Sequence, residues 1–525
     1  MDKQDTINTR QFHQAKWDEP IIFELSEPGK KGIISPRTDL KILEERGNAF
    51  DTFPGKLKRK TPPDLPELGQ MEVVKHYLRL SQENLGADLN VDIGQGTCTM
   101  KYNPKINDKI AGSEKIMKVH PYQDEQTLQG ILQILFDMNL YFRQISGLDR
   151  FSFQPASGSH AILGMASIVR AYHQKNTSEK IRDEIITTIF SHPSDAAAAK
   201  TIGYKIITLF PDENGYPDVD ALKAAVSDKT AALFITNPED TGIYNPKIRE
   251  FTRLVHDNGG LCCYDQANAN GLLGIARARE AGFDICFFNL HKTFGTPHGC
   301  GGPGAGALGV IKPLERFLPS PLVEKTNDQY ALNWNLPDSI GKIRQFYGTI
   351  PAIVKAYAWI RALGAEGLKK VSQTAVLNNN YMMKKILEIK GVSAPFAPGR
   401  IRIEQVRFSF EKLYEDTGVT FEDIQARMAD FGFHIWSSHH PHIVKQPFTI
   451  EPTESYSKLE LDEYLAGLQK ISKEAYETPE ILKTAPHNSV TRRPGHKTLD
   501  DPLKWAVTWR AYLKKCNAGQ RLRIR

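Results

Sequence analysis

The sequence predicts an α/β protein with a mostly parallel sheet in a large domain and a smaller α+β domain on its C-terminal side. Short apolar runs alternate with amphipathic helices between residues 160 and 288. This alternation is typical of parallel strands that crossover helices cover on both faces. Beyond residue 400 the pattern changes to two strands and two helices, which indicates a second unit.

Each element follows from the period of its apolar residues and from the residues that end it. Residues 1–65 are polar and interrupted by six prolines, so they predict an extended arm that lies over another surface. The elements predicted after the arm are, in chain order, helices at 71–84, 124–144 and 160–172, a strand at 185–190, a helix at 196–202, a strand at 205–209, a helix at 218–226, a strand at 231–236, a helix at 246–256, strands at 260–264 and 285–288, helices at 350–364 and 367–389, a strand at 402–410, a helix at 420–431, a strand at 442–450 and a helix at 458–476.

Length and composition indicate a globular protein, with 525 residues of which 40% are hydrophobic and 24% charged. The net charge of +6 lies largely near the two ends without an aromatic-interleaved basic patch, which argues against nucleic-acid binding. Six irregularly spaced cysteines predict neither a disulfide framework nor a metal site, and with no apolar leader or membrane span they favour a cytoplasmic location. The predicted organisation is an arm with helices at 1–120, a large cofactor-binding domain at 121–375, a small domain at 376–480 and a basic tail at 481–525.

Lys292 is the most informative residue of the chain. It follows the apolar run 285–288 and precedes a glycine-rich run at 299–306. A lysine just beyond a buried strand lies where an open α/β sheet presents side chains to a ligand. Such a lysine can form a Schiff base with pyridoxal phosphate, which also needs an acidic partner for its ring nitrogen and donors for its phosphate.

Asp265 follows the predicted strand 260–264 and is the candidate for the acidic partner. A carboxylate beside the ring nitrogen keeps that nitrogen protonated, so the ring can withdraw electrons from the substrate α-carbon. The alternative is that Asp265 only caps the segment 266–272. Its position 27 residues before Lys292, with one strand end between them, favours the cofactor interpretation.

A candidate phosphate site lies where an apolar helix begins, because backbone N–H groups at helix N-termini bind anions. Serine and glycine also begin helices for structural reasons alone, so both interpretations stay open. His192 follows the strand 185–190 and either stacks on the cofactor ring or has a structural role. The residues of the candidate phosphate site are Ser157, Gly158, Ser159 and His160.

Several segments resemble the pyridoxal-phosphate P-protein of the glycine cleavage system, in particular the catalytic second subunit of its two-subunit bacterial form. The similarity spans roughly residues 20–510, and its most specific segments are CTMKYNP at 98–104 and the lysine loop at 289–306. The other matching segments are 66–84, 264–270, 339–348, 362–371 and 450–454.

The resemblance implies a fold-type I pyridoxal-phosphate enzyme that decarboxylates glycine, a small amino-acid substrate, and passes the aminomethyl group to a lipoyl group. It implies a first P-protein subunit and a lipoylated carrier protein as partners, in a homodimer or heterotetramer. The implied roles are the Schiff-base lysine for Lys292, the ring-nitrogen partner for Asp265, ring stacking for His192, the phosphate loop for Ser157, Gly158, Ser159 and His160, further cofactor contacts for Asn268, His291 and Thr296, and a place close to the site for the segment 98–102.

Loops beside the candidate site depart from the family pattern. His192 is followed by Pro-Ser-Asp instead of Gly-Thr-Asn, and Gln266 stands in place of a glycine. Asp195 adds an acidic group near His192, which favours a changed substrate or acceptor. One alternative is therefore a diverged paralogue that performs related carbanion chemistry on another amino acid. A non-catalytic scaffolding subunit is a second alternative, against which the retention of Lys292 and Asp265 argues.

Overall fold

The computed structural model describes residues 9, 12–32, 38–47, 49–61, 63, 65–85, 93–94, 101–176, 181–298, 302–437, 443–490, 493, 508, 510 and 513. Contacts divide the chain into two compact units. The first contains Met1–Gln11 and Ala87–Ala485, and the second contains Phe12–Gly86 and Pro486–Arg525. The domain boundaries near residues 120, 375 and 480 stay predictions.

The second unit contains helices α1 (Leu40–Arg46) and α2 (Gln70–Gln82). The helix predicted at 71–84 is confirmed, whereas α1 interrupts the predicted extended arm. Sequence periodicity misses α1 because this helix has seven residues and buries none of them. The buried carboxylate of Glu19 lies 2.9 Å from His76 Nδ1 and accepts from Arg79 at 3.1 Å, which fixes the segment before α1 against one face of α2.

The first unit begins with short helices and continues into a sheet with helices on both faces. Its elements up to the end of the sheet are α3 (Lys105–Ala111), α4 (Glu114–Met117), α5 (Gln129–Ser146), β1 (Arg150–Ser152), α6 (Gly158–Asn176), β2 (Glu184–Thr188), α7 (Pro193–Thr201), β3 (Lys205–Leu209), α8 (Val219–Ala225), β4 (Thr230–Thr236), α9 (Ile248–Asp257), β5 (Leu261–Asp265), β6 (Ile285–Asn289), β7 (Gly306–Val310), β8 (Leu322–Thr326) and β9 (Gln329–Asn333).

The sheet contains seven strands among the described residues, in the order β1-β7-β6-β5-β4-β2-β3. β7 pairs antiparallel with β6 and β1, and the other pairs are parallel, which confirms the mostly parallel sheet. The chain moves outward from β2 to β3 and then returns to place β4 on the inner side of β2. The connections after β2 and β4 therefore run in opposite directions, and open α/β sheets bind ligands at the carboxyl ends of strands at such a position.

Apolar side chains cover both faces of this sheet. Successive residues of a strand point to opposite faces, so Cys262 and Tyr264 of β5 join one hydrophobic cluster and Cys263 joins the other. Residues of α5 and α9 belong to the first cluster and residues of α6 to the second. Burial on both faces explains why β4, β5 and β6 are uninterrupted apolar runs in the sequence.

The C-terminal part of the first unit has its own hydrophobic cluster, which contains residues between 382 and 482 together with Ile93. Gly364 interrupts the long helix with φ +63°, where the sequence predicts two separate helices. The predicted strands at 402–410 and 442–450 are shorter than expected, at four residues each. The elements of this part are α10 (Ile350–Ile386), β10 (Val406–Ser409), α11 (Glu411–Thr417), α12 (Phe421–Ala429), β11 (Pro447–Ile450), α13 (Lys458–Glu477) and α14 (Glu480–Thr484).

Within the described ranges, none of the helices combines the length and the apolar character needed to span a bilayer.

An aromatic cluster lies beneath the loop that carries Lys292. Phe142 of α5 is fully buried, and its ring centroid lies 5.2 Å from that of Phe288 in β6 and 5.0 Å from that of Phe294 in the lysine loop. Phe294 in turn contacts Trp359 of α10 with a centroid separation of 6.0 Å. The cluster therefore joins α5, β6, the lysine loop and α10.

We expect Phe142→Ala to lower the free energy of unfolding by about 3–5 kcal/mol, because it removes a buried phenyl ring from a packed core. The control is Leu140→Ala on the same helix, since Leu140 is 36% exposed. Leu140→Ala should lower the free energy of unfolding by less than about 1 kcal/mol. Urea denaturation followed by tryptophan fluorescence measures both, and equal losses would contradict a central role for the cluster.

Candidate active site

Asp265 and Lys292, on which the predicted pyridoxal-phosphate site depends, lie at the carboxyl ends of neighbouring strands. β5 ends at Asp265, which pairs in register with Thr236 of β4 and Phe287 of β6. Lys292 lies in the turn after β6, where its backbone N–H donates to Asn289 O at 3.2 Å. Only 8% of Lys292 and 3% of Asp265 are exposed. The structure thus brings these two residues to one buried site.

Asp265 and Lys292 interact electrostatically. Burial raises the pKa of the Asp265 carboxyl above its ordinary value, while a hydrogen bond from Ala267 and the charge of Lys292 oppose the rise. The Ala267 N–H donates to Asp265 Oδ1 at 2.9 Å, so Asp265 also caps the turn after β5. A buried carboxylate with a cation nearby is suited to hold a second cationic group, such as a protonated ring nitrogen.

The start of α6 approaches the end of β6 closely. A Cβ atom on Gly158 would lie 3.0 Å from Asn289 Nδ2, so a larger residue would push the helix away from the strand. Ser157 accepts the His160 N–H through Oγ at 3.2 Å, which leaves the N–H groups of Gly158 and Ser159 at the open end of the helix. Free N–H groups at a helix N-terminus can bind an anion, and the phosphate role of this turn stays a prediction.

The side chain of His160 has a structural role in the described residues. Its Nδ1 accepts the Ala156 N–H at 3.2 Å, so the Nε2 atom carries the proton and donates to Ile343 O at 2.8 Å. Both ring nitrogens are therefore bound to the backbone. A cofactor contact from His160 stays a prediction, and within this arrangement it would come from the backbone of the helix turn.

His192 forms the N-cap of α7 and is half-buried. Its Nδ1 lies 2.6 Å from Ser194 Oγ and accepts the Ser194 N–H at 3.1 Å. Ser194 Oγ also lies 2.8 Å from Ser159 Oγ of the candidate phosphate loop. This chain of polar contacts holds the imidazole in one orientation beside α6, which suits the predicted stacking role.

Two further predicted residues line the lysine loop. His291 is buried with Nδ1 3.0 Å from Ala305 O, and burial together with the charge of Lys292 lowers the pKa of His291 to about 4. The imidazole is consequently neutral at physiological pH. Thr296 is 2% exposed, and its Oγ1 has no hydrogen-bond partner in the described residues. Such a hydroxyl is available to a ligand.

Asn268 is held by the C-terminal part of the same unit. Its Nδ2 donates to Glu451 Oε1, which also accepts from Asn270 Nδ2 at 2.7 Å. Asn268 Oδ1 accepts the Asn270 N–H at 2.9 Å and lies 3.5 Å from Thr293 Oγ1. These bonds connect the loop after β5 to the lysine loop. A direct cofactor contact by Asn268 stays a prediction.

Two buried carboxylates, Glu404 and Glu451, reach this region without a local signal in the sequence. Both follow Lys292 by more than 100 residues, and although Glu451 lies in the matching segment 450–454 (IEPTE), no spacing along the chain connects Glu404 or Glu451 to the lysine loop. Burial and the charge of Glu451 raise the pKa of Glu404 well above its ordinary value, and the charge of Lys292 opposes the rise. Only the folded chain places these acids near the lysine.

The segment 98–102 lies partly outside the described residues, which resume at Lys101. Lys101 is buried and donates to the two carboxylate oxygens of Glu454 at 2.9 and 3.0 Å. Its Nζ also lies 4.9 Å from the ring centroid of Trp359. Burial lowers the pKa of Lys101. Lys101 therefore connects the segment CTMKYNP (98–104) to the segment IEPTE (450–454) and to α10.

Three titratable groups gather at the amino ends of β5 and β6, and no motif in the sequence predicts them. Asp284 Oδ2 lies 2.7 Å from His256 Nε2 and accepts the Cys262 N–H at 2.8 Å. Cys262 Sγ donates to Thr252 O at 3.5 Å. The side-chain ligand atoms of these three groups lie within 4.8 Å of one another. The polar atoms of these side chains form hydrogen bonds with one another or with the backbone, so a structural role is sufficient to explain the cluster.

The residues at the carboxyl edge fit pyridoxal phosphate. Lys292 supplies the amine, Asp265 supplies the acid for the ring nitrogen, and the α6 turn supplies phosphate donors. The unpartnered Thr296 hydroxyl and the close approach at Gly158 are both accounted for by a ligand in this place. The roles of the individual predicted residues stay predictions, because the fit concerns donor types and burial.

Comparison with known proteins gives matches along most of the chain. Residues 163–426 match the aminotransferase class-V family, and residues 371–495 match the family described as glycine dehydrogenase, C-terminal domain. A probable glycine dehydrogenase (decarboxylating) subunit 2 from Pyrococcus horikoshii is 45% identical over 97% of this chain and 99% of the relative. The protein of the same description from Caldanaerobacter subterraneus is 42% identical over 90% of this chain and 95% of the relative.

Among solved structures, an inhibitor-bound glycine decarboxylase (P-protein) of the glycine cleavage system matches with a TM-score of 0.72. It covers 83% of this chain and 99% of the solved chain at 21% identity, so the likeness concerns the fold. A NifS-like protein matches with a TM-score of 0.57 at 15% identity over 73% of this chain and 99% of the solved chain. Both likenesses agree with the predicted α/β fold of type I.

We expect Lys292 to be the lysine that binds pyridoxal phosphate covalently, because it is the buried lysine whose charge reaches Asp265. Borohydride reduction of the loaded protein followed by peptide mapping should place the label on Lys292. The control is Lys101, whose side chain is also buried but is paired with Glu454. Lys292→Arg should abolish labelling, and label on Lys101 or any other lysine would contradict the assignment.

Proposed function

The chain belongs to the glycine dehydrogenase (decarboxylating) subunit 2 family, and from this premise we propose that it decarboxylates glycine and passes the aminomethyl group to a lipoyl carrier protein. The cofactor is pyridoxal phosphate, as in aminotransferase class-V proteins. The observation that carries the proposal is that Lys292 and Asp265 are both buried and interact electrostatically at the carboxyl ends of the strands.

The side chains of this site have separable tasks in the proposed reaction. Pyridoxal phosphate, when bound, supplies an electron-withdrawing ring that stabilises negative charge on the substrate α-carbon. Asp265 holds the proton on the ring nitrogen through its negative charge. Lys292 binds the cofactor through Nζ and afterwards offers this atom as a proton carrier. The neutral His291 adds no second positive charge beside Lys292.

Burial of the site supports decarboxylation. Asp265, His291 and Lys292 are each less than 9% exposed. Low exposure strengthens the electrostatic interaction between Asp265 and the ring nitrogen, since water screens charges that it can reach. It also limits premature protonation of the α-carbon by solvent. The aromatic cluster packs beneath the lysine loop and holds it in place.

The departures from the family pattern support unchanged chemistry more than a new substrate. Pro193 occupies the first position of α7, where the missing N–H has no partner within a helix and the fixed φ suits the turn. Asp195 is fully buried and so presents no surface to a substrate. Gln266 is buried, and its Oε1 has no hydrogen-bond partner in the described residues. Gln266 is therefore a departure that can add a polar contact inside the site.

We also propose assembly with a first subunit, since the relatives are named as one of two subunits. The second unit offers a surface for this purpose on α2. Three of its apolar side chains, Met71, Val74 and Leu78, are 67%, 50% and 59% exposed. Their spacing of three and four residues places them on one stripe, away from the buried His76. A homodimer of such pairs gives a heterotetramer.

The cysteines support a cytoplasmic location. Cys262, Cys263 and Cys286, the cysteines within the described ranges, are buried free thiols. Burial raises the pKa of each thiol well above its ordinary value, so they are unreactive. Reduced cysteines are usual in the cytoplasm, where thiols are kept reduced.

We expect labelled bicarbonate to exchange into the carboxyl group of glycine when the loaded protein, its first subunit and a lipoylated carrier are present. Asp265→Ala should retain the cofactor on Lys292 but lower the exchange rate by about 100-fold or more, because nothing then holds the ring nitrogen protonated. Asp220→Ala is the control, since its side chain is 88% exposed on α8. Cofactor absorbance measures retention, and label in glycine measures exchange.

Each other outcome has a definite meaning. Exchange with another amino acid but not glycine would favour the diverged paralogue. Bound cofactor without exchange into any amino acid would favour the scaffolding subunit. An Asp265→Ala variant with the activity of the original protein would remove Asp265 from the proposed role.

We expect the double variant Val74→Ser, Leu78→Ser to weaken association with the first subunit at least about tenfold, because it removes the centre of the apolar stripe. Lys75→Ser on the flank of the stripe is the matched control and should have little effect. Light scattering and analytical ultracentrifugation of the mixture measure the heterotetramer. A stable and active monomer would contradict the assembly.

A further inference from the structure

Asp195 has a carboxyl group that the described residues leave without a partner. It lies in the first turn of α7 and is completely buried. Neither Oδ1 nor Oδ2 has a hydrogen-bond partner within the described ranges. The neighbouring polar groups of His192 and Ser194 bind each other instead. An ionised carboxylate in such a place would lose its hydration without a compensating bond, which is strongly unfavourable.

The charges that act on Asp195 are negative. Asp265 at the end of β5 and Asp240 after β4 are both buried, and both act on its carboxyl group. Asp240 is paired with Arg407 of β10 at 3.3 Å, so this cation is already engaged. Lys292 acts on Asp265. Burial first, and then the charges of Asp265 and Asp240, raise the pKa of Asp195 well above its ordinary value.

The other titratable groups nearby do not relieve this excess of negative charge. Glu239 precedes Asp240, accepts from Thr188 Oγ1, and has its pKa raised to about 8 by burial. Cys263 of β5 is affected by the charge of Asp195, and its thiol is kept protonated by burial. No cation in the described part of the chain forms an ion pair with Asp195 within 4.0 Å.

When two buried acids repel each other, the one with less support for a negative charge keeps its proton. Asp265 has the N–H of Ala267 at 2.9 Å and the charge of Lys292. Asp195 has neither a donor nor a cation. The proton therefore belongs on Asp195, and the negative charge belongs on Asp265.

We propose that Asp195 is a neutral carboxylic acid, so that it adds no second negative charge to that of Asp265, the charge that faces the ring nitrogen of the cofactor. The role of Asp265 toward that nitrogen rests on the proposed function, whereas the neutral state of Asp195 follows from the protein alone. The family pattern has asparagine at this place, which is a neutral side chain of the same shape. Asp195 in its acid form reproduces that environment.

The sign of the pH dependence follows from the folded and unfolded states. The unfolded chain releases the Asp195 proton near its ordinary pKa of 3.8, whereas the folded protein retains it to a higher pH. The original protein must therefore lose stability relative to Asp195→Asn as the pH rises through this interval. The ratio of their unfolding constants should change about tenfold for each pH unit until the folded group ionises.

Urea denaturation of the full chain without cofactor between about pH 5 and pH 8 measures this ratio. Asp220→Asn, in the first turn of α8, is the matched control and should leave the pH dependence unchanged. Infrared spectra should contain the carbonyl band of a protonated carboxyl group that Asp195→Asn lacks. Asp195→Asn should bind pyridoxal phosphate with the affinity of the original protein.

A second variant tests the coupling of the two acids. Asp265→Ala removes the negative charge that acts most strongly on Asp195, so the pH dependence contributed by Asp195 should become smaller in this background. A missing infrared band, an unchanged ratio of unfolding constants across the pH range, or an Asp195→Asn variant that no longer binds the cofactor would overturn the proposal. If the original protein has the infrared band of the protonated carboxyl group but does not exchange bicarbonate into glycine, only the proposed function is overturned.

Discussion

The parallel pairing of β5 with β6 is the constraint on which the rest of the site depends. Asp265 lies in register with Phe287, so β6 continues for two residues beyond the end of β5 before the turn begins. Lys292 follows within that turn and has little freedom to lie elsewhere. The apolar layers on both faces of the sheet hold this register, since a slip by one residue would move every buried side chain to the wrong face.

The site contains several buried ionisable groups, and each of them would be unfavourable in its charged form without the others. Lys292 acts on Asp265, and Arg407 pairs with Asp240, within a group of buried acids. Such a group is tolerated in a folded protein when some acids remain protonated and others meet a cation. The charge balance is therefore a property of the assembled site. It changes when a cofactor with its own ring cation and phosphate enters.

Much of this arrangement could be predicted from residue patterns, and the reason is local. β4, β5 and β6 are continuous apolar runs, and Lys292 stands next to one of them. β7 was harder to predict because two of its five residues are glycines, and β1 has only three residues. A strand of either kind has no apolar period long enough to distinguish it from a loop.

Other parts of the site depend on contacts between distant segments, which no local pattern contains. Glu451 reaches Asn268 and Asn270 across more than 180 residues of chain. The structural role of the His160 ring depends on Ile343 in the same way. Short motifs such as IEPTE can indicate that a segment matters. They cannot indicate which loop their side chains will reach.

The bond network around Glu451 has a consequence for the modular character of the protein. One carboxylate accepts from two side-chain amides in the loop after β5, and Thr293 Oγ1, which accepts the Ala269 N–H at 2.9 Å, joins that loop to the lysine turn. A chain cut after α10 would leave these amides buried without their acceptor. The C-terminal segment is thus part of the structure that supports the active site, and it cannot be exchanged or removed as an independent domain.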